Sequence, residues 1–335
     1  MSIQLRCLLT IFALVPLASC VTPSTQASNE LAQTRIQTPT FDETHFIAQD
    51  GYKLPFKSWP AAEEPERIIL ALHGFNDYSN AFSGLCEFMT DKHSTKTLCM
   101  AYDQRGFGAT EQTGIWPQKG KLQSDLMTMS KSLKLQYPNA ELYLVGESMG
   151  GAVIISALTQ NNDKTSHIDG IILLAPAVWA RSTQPWYQRF ALFVAVHTFP
   201  GWKPKGESLG VVATDNGEAL IAMSQDPLVI KETRIDAIYG LTNLMDLALE
   251  NASAIQTPAL VLYGLKDEVI PKTPTCEMLK RMESQVNHQL KLYTNGYHML
   301  SRDLQAPRVF KDMTAWMDDQ NGFESSSIEE LYCEQ

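Results

Sequence analysis

The sequence has neither an H-E-x-x-H motif nor a paired C-x-x-C, and it has no glycine-rich phosphate loop. No metal and no cofactor is therefore expected. Positive charge is also scarce: 27 Lys and Arg stand against 37 Asp and Glu, a formal net charge of −10. A protein that neutralises phosphates needs the opposite balance, so nucleic acid is not an expected partner. No internal repeat is visible. The apolar run Cys7 to Leu17 is too short to serve comfortably as a permanent bilayer-spanning helix. Against these absences stand 335 residues, 44% of them hydrophobic and 19% charged. That is enough to bury the core of one large domain or two small ones.

The N-terminus differs in kind. Arg6 is the only charged residue before Glu30, and the apolar run that follows it ends in the small residues Ala18 and Ser19. This pattern reads as a secretory signal over residues 1–19. Leu17-Ala18-Ser19-Cys20 resembles the lipobox of bacterial lipoproteins, which implies cleavage before Cys20 and lipidation of that residue. Several acyl chains on one residue hold a protein to a membrane durably. Val21, where Asp would stand for retention in the inner membrane, resembles an outer-membrane address. The expected location is the bacterial envelope, lipid-anchored to the outer membrane and facing the periplasm. Residues 20–40 are rich in Ser, Thr, Gln, Pro and Ala and read as a flexible tether. Residues 320–335 read as a polar, loosely held tail.

Cys86, Cys99, Cys276 and Cys333 remain after the signal and Cys20 are set aside. Two disulfides in any of three connectivities, or four free thiols, are both open. Nearness in sequence suggests Cys86 with Cys99 and Cys276 with Cys333.

From about Thr44 the chain alternates short β-rich runs with helical stretches. Two strands flank the turn signal Asp50-Gly51. Apolar runs follow at 67–72, 97–102, 142–145, 171–174, 259–263 and 290–293, with helices predicted at 120–137, from Ala152, and through Phe310 and Trp316. Continuous apolar strands separated by helices predict an α/β fold, a mostly parallel sheet covered on both faces. Reactive residues in such sheets sit at the carboxyl ends of strands. Residues 177–254 break the alternation and are helical and aromatic. They are expected to form a cap inserted between core segments 41–176 and 255–319. Trp186, Phe190, Phe193, Val194 and His197 fall on one helical face. That stripe is open to two readings, packing on the domain beneath or binding an acyl chain, with Trp186, Phe190 and Phe193 as the candidate contacts.

Gly146-Glu147-Ser148-Met149-Gly150 matches G-x-S-x-G between a strand and a helix, and so resembles a nucleophile elbow. A Ser hydroxyl needs a base to take its proton. The expected order is Ser, acid, His. Of seven His, only His288 and His298 lie late enough. His298 follows the last strand and is the expected base. Asp267 follows the preceding strand and is the expected acid, with Glu268 the neighbouring candidate. Oxyanion donors are expected from the N–H of Met149 and of Phe75, with Asn76 competing. His73 and Asp103 are expected to hold loops.

His73-Gly74-Phe75, the run Tyr102 to Gly108, Gly146 to Gly151, Gly264-Leu265-Lys266-Asp267 and Gly296-Tyr297-His298 together resemble the monoacylglycerol lipase and lysophospholipase family. The resemblance covers roughly residues 44–316. It implies the α/β-hydrolase fold with a helical cap, a serine carboxylic ester hydrolase, and a small lipid-like ester as substrate. Glu147 departs from it, since His is common there, and it is expected near the acid side of the elbow. A serine peptidase or perhydrolase using the same residues, or a catalytically silent binding protein, is the alternative.

Overall fold

A computed structural model of the chain describes residues 22–26, 37–91, 96–158, 167–204, 210–282, 288–323 and 332–334. The expected signal peptide and Cys20 lie outside the described residues.

Nine strands form one sheet: β1 Thr40–Phe41, β2 His45–Ile47, β3 Lys53–Trp59, β4 Arg67–Leu72, β5 Thr97–Tyr102, β6 Glu141–Glu147, β7 Gly170–Leu174, β8 Ala259–Gly264 and β9 His288–Tyr293. Their spatial order is β1-β2-β3-β5-β4-β6-β7-β8-β9. β1, β2, β3 and β5 pair antiparallel, and every pairing from β5 to β9 is parallel. The parallel strands are nearly continuous apolar runs because both of their faces are covered. Alternate residues point to opposite faces. Ile68, Leu70 and Leu72 of β4 therefore join Leu142 and Leu144 of β6 on one side. Ile69 and Ala71 join Tyr143 and Val145 on the other.

Helices fill both layers. α1 is Ser83–Met89, α2 Lys121–Gln136, α3 Met149–Leu158, α4 Trp186–Thr198, α5 Gly217–Gln225, α6 Ile235–Asn251, α7 Lys272–Met282 and α8 Ala306–Asp318. α2, α3 and α6 cover the first face, and α1 and α8 the second, where Trp316 is fully buried. Between β7 and β8 the described residues contain helices and no strand. α4 and α5 stand over the domain. α6, with Leu244, Met245, Ala248 and Leu249 buried, belongs to the layer on the sheet.

Three expectations are corrected. Residues 20–40 are not a free tether along their described parts. The Gln26 N–H donates to the Trp116 carbonyl at 2.8 Å, the Ser24 N–H donates to Asp236 Oδ2 at 3.2 Å, and Gln26 is buried. Backbone groups that find partners hold a polar segment that has no core of its own. The tail is not loose throughout either. A disulfide joins Cys276 on α7 to Cys333, and the Tyr332 ring lies 5.9 Å from that of Tyr263. The other disulfide joins Cys86 to Cys99, so both pairs follow nearness in sequence. The helix after the elbow also begins at Met149, three residues earlier than its apolar pattern suggested.

Candidate active site

The strands that matter end in register. Leu72 of β4 lies opposite Gly146 of β6, Glu147 opposite Leu174 of β7, and Gly264 of β8 opposite Tyr293 of β9. The loops beyond these pairs therefore meet along one edge of the sheet.

Ser148 sits between β6 and α3 with φ at 52°, a left-handed conformation that a non-glycine residue adopts only under constraint. Its N–H donates to the Leu174 carbonyl at 2.9 Å, and its carbonyl accepts from the Ala177 N–H at 2.9 Å. Close packing around the turn requires the glycines. A Cβ on Gly146 would lie 2.6 Å from the Gly150 carbonyl carbon, and one on Gly150 would lie 2.0 Å from the Leu72 oxygen.

The loop after β4 reaches the same point, where a Cβ on Gly74 would lie 3.4 Å from that of Ser148. Among the described residues, neither the Phe75 nor the Met149 N–H has a protein acceptor. For Met149 this follows from its place in the first turn of α3, whose N–H groups have no partner within the helix. Asn76 has φ at 65° and turns its side chain away, donating from Nδ2 to Thr233 Oγ1 at 2.6 Å. His73 holds the loop as expected. Its Nδ1 bonds the Gly74 carbonyl at 2.8 Å and its Nε2 accepts from the Gln104 N–H at 2.9 Å. Complete burial lowers its pKa below the usual 6.5 and keeps it neutral. Asp103 accepts from the Ser79 and Ala109 N–H groups, each at 2.9 Å, which pins two loops.

At the far strands, β8 and β9 approach where Gly264 faces Gly296. The Lys266 N–H donates to the Gly296 carbonyl at 2.9 Å. Asp267 and His298 project from these two loops, and His298 Nδ1 lies 2.8 Å from Asp267 Oδ2. The Asp267 side chain is wholly buried, and its Oδ1 accepts from the Val269 and Ile270 N–H groups at 2.8 and 3.0 Å. The neighbouring candidates fall away. Glu268 instead accepts the Val212 N–H at 2.9 Å, and His288 opens β9 at the opposite edge of the sheet, across from Ala259.

The structure also shows an ionic cluster that the motifs did not point to. Glu147 does not face the acid side of the elbow. Ser301 Oγ donates to its Oε2 at 2.5 Å, and Arg302 Nη2 donates to its Oε1 at 3.2 Å. The same Nη2 donates to Asp77 Oδ2, and Nη1 lies 3.2 Å from Met223 Sδ on α5. Glu147 therefore joins the end of β6 to the loop that carries His298, and Arg302 joins that loop to the one after β4 through Asp77. Burial works against the Arg302 charge, but Asp77 and Glu147 more than offset it and raise its pKa. A carboxylate closing a buried strand needs a cationic partner, and that was the one available signal in the sequence.

The segments over the domain are stitched to both reactive loops. Ile230 N–H donates to the Asn76 carbonyl at 2.9 Å, Met299 N–H to the Ala213 carbonyl at 2.9 Å, and Thr214 Oγ1 to Asp303 Oδ1 at 2.7 Å. On α4 the stripe faces outward. Trp186, Phe190 and Phe193 are 70%, 62% and 57% exposed, and Val194 is exposed too, with only Val196 buried on the helix. The stripe thus does not pack on the domain beneath, because the residue of α4 that meets the core lies on another face. Phe199, Trp202, Leu220 and Ile221 add further exposed apolar area.

Comparison with known proteins agrees with this architecture. The family model described as "Serine aminopeptidase, S33" (Hydrolase_4) matches residues 63–305. Monoglyceride lipase of Homo sapiens is 24% identical over 285 residues, covering 83% of this chain and 91% of that protein. Monoacylglycerol lipase of Mycolicibacterium smegmatis is 23% identical over 283 residues, covering 83% of this chain and 97% of that protein. Among solved structures, a soluble variant of monoglyceride lipase from Saccharomyces cerevisiae, in complex with a substrate analog, superposes with a TM-score of 0.66. It is 19% identical and covers 90% of this chain and 96% of that one.

Proposed function

We propose that this chain, which belongs to the Hydrolase_4 family described as serine aminopeptidase, S33, and has the α/β-hydrolase fold and a carboxylesterase or lipase type of activity, hydrolyses lipid-like esters, monoacylglycerols or lysophospholipids, through Ser148, His298 and Asp267. The observation that carries this reading is the buried Asp267–His298 pair held at the same sheet edge as the Ser148 elbow. Its similarity to proteins named monoglyceride lipase supports the substrate class.

In this mechanism His298 Nε2 takes the proton of Ser148 as Oγ attacks the ester carbonyl. Asp267 holds Nδ1–H and stabilises the imidazolium. The Phe75 and Met149 N–H groups receive the developing oxyanion. Collapse releases the alcohol, which is protonated by His298, and leaves an acyl group on Ser148. Water, deprotonated by His298, then frees the acid. The exposed aromatic face of α4 suits an enzyme that meets its substrate at a lipid surface. Lipidation at Cys20 belongs to the same reading and would place the enzyme in a bacterial envelope, at the outer membrane facing the periplasm. Two disulfides suit such an oxidising compartment.

The test is a fluorophosphonate probe together with a substrate panel. One site should be labelled, and Ser148→Ala should abolish both labelling and turnover of monoacylglycerols. Labelling that survives the substitution overturns the nucleophile. Turnover of aminoacyl p-nitroanilides in preference to esters overturns the substrate class. Mass spectrometry of the mature N-terminus should find acyl chains on Cys20, and a free thiol there overturns the anchor.

A further inference from the structure

Arg302 stands where four parts of the site meet. It lies in the loop that carries His298, four residues further on. Through Glu147 it holds the residue immediately before Ser148, and through Asp77 it holds the oxyanion loop. Its Nη1 touches α5 through Met223. The arginine side chain is only 14% exposed, and those of Asp77 and Glu147 are 5% and 2% exposed. Asp77 is itself part of the oxyanion turn. Its N–H donates to the Gly74 carbonyl at 3.3 Å, and its Oδ1 accepts from the Tyr78 N–H at 2.9 Å. Phe75 lies inside that turn, between Gly74 and the left-handed Asn76.

One guanidinium therefore bonds the two segments whose N–H groups must converge on a single oxygen. Their spacing is the quantity that decides oxyanion stabilisation, because donors act only when aimed at the position the oxyanion will take. Both carboxylates take their bond from one nitrogen, Nη2, so their separation depends on where that nitrogen is held. The planar guanidinium also reaches Met223 through Nη1, which a point charge on a flexible stem cannot do at the same time.

We propose that Arg302 is a positioning residue: through Asp77 and Glu147 it sets the oxyanion loop against the nucleophile elbow. The role rests on the ester-hydrolase reading above and deepens it. Ground-state binding of a small ester makes little use of the oxyanion donors, so misplacing them should affect kcat rather than KM.

The experiment measures p-nitrophenyl butyrate turnover and fluorophosphonate labelling by the full chain. The variants are Arg302→Met, Arg302→Lys, Asp77→Asn and the double Asp77→Asn/Arg302→Met. Arg302→Met should lose about 10- to 100-fold in kcat, somewhat less than removal of a donor outright costs, with KM within about threefold. Arg302→Lys should recover part of that loss, because it keeps a charge for Asp77 and Glu147 but not the planar group that also reaches Met223. The double variant should be no slower than Arg302→Met alone, since both changes break one contact.

A folded Arg302→Met that keeps kcat within about twofold, or loses rate only through KM, overturns the proposal. So does a double variant whose losses multiply. If Arg302→Met does not fold, Arg302→Lys decides by the same criteria on kcat and KM. A parent protein that is neither labelled at Ser148 nor active on esters refutes the hydrolase reading and the positioning role together. An active parent with unaffected Arg302 variants refutes the positioning role alone.

Discussion

Replacing Asp267 with Asn probes the Asp267–His298 pair through the position of one proton. Oδ1 of Asp267 accepts two backbone N–H groups at 2.8 and 3.0 Å, and Oδ2 faces His298 Nδ1 at 2.8 Å. An amide in this pocket must keep its oxygen on the two backbone donors, because the reverse orientation would set donor against donor. Its NH₂ then faces Nδ1, which has to accept. The single ring proton of neutral His298 moves to Nε2, and a protonated Nε2 cannot take the Ser148 proton. Nothing changes in size, and each hydrogen bond has a replacement, so the fold should persist. A misassigned tautomer lowers kcat by about 10⁴-fold. At about 1.36 kcal/mol for each factor of ten, that is about 5.5 kcal/mol of barrier. The assay is kcat on a soluble p-nitrophenyl ester alongside a thermal melt. An Asp267→Asn variant that melts like the parent and keeps kcat within tenfold would refute the reasoning.

Three further outcomes are expected. Complete burial lowers the His73 pKa below 6.5, so the unfolded chain binds a proton that the folded chain refuses. The stability this group supports is complete above about pH 6.5 and declines by up to about 1.4 kcal/mol per pH unit as pH falls below that value. Urea unfolding across this range should show a slope smaller by one proton in His73→Gln. Removing the Cys276–Cys333 bridge by Ser at both positions should cost about 2–4 kcal/mol, read from the urea midpoint. Phe190→Ser with Phe193→Ser should leave stability within about 0.5 kcal/mol, because both side chains are already exposed. On vesicle-borne monoacylglycerol the pair should slow turnover several-fold, and on a soluble ester it should not.

Much of this could be read along the chain because each motif is local. Strands β4, β5 and β7 are buried on both faces and so are apolar without alternation, which makes them visible as runs. Ser148, Asp267 and His298 each follow such a run directly or within a few residues. What escaped the sequence depends on meetings between distant segments. Glu147 and Arg302 lie 155 positions apart, and no periodicity links them. The stripe on α4 has a clear helical period, but a period identifies a face without saying whether it looks inward or outward. Residues 22–26 and the tail have compositions that cannot bury a core, yet a few backbone bonds and one disulfide are enough to fix them. β1, only two residues long, carries too little pattern to be seen at all.

The stitches between the inserted segments and the reactive loops bear on how such an enzyme could be rebuilt. Asn76 is gripped by Ile230 and Thr233, Met299 by Ala213, and Asp303 by Thr214. The insertion is therefore not a cassette to be exchanged for another specificity. A transplanted lid of different length would arrive without these bonding partners, and a left-handed Asn76 would be released on one side of the nucleophile while the histidine loop loosened on the other. Recombination that respects the fold would have to carry residues 73–78 and 297–304 along with residues 211–233, treating three stretches far apart in the chain as one inherited unit.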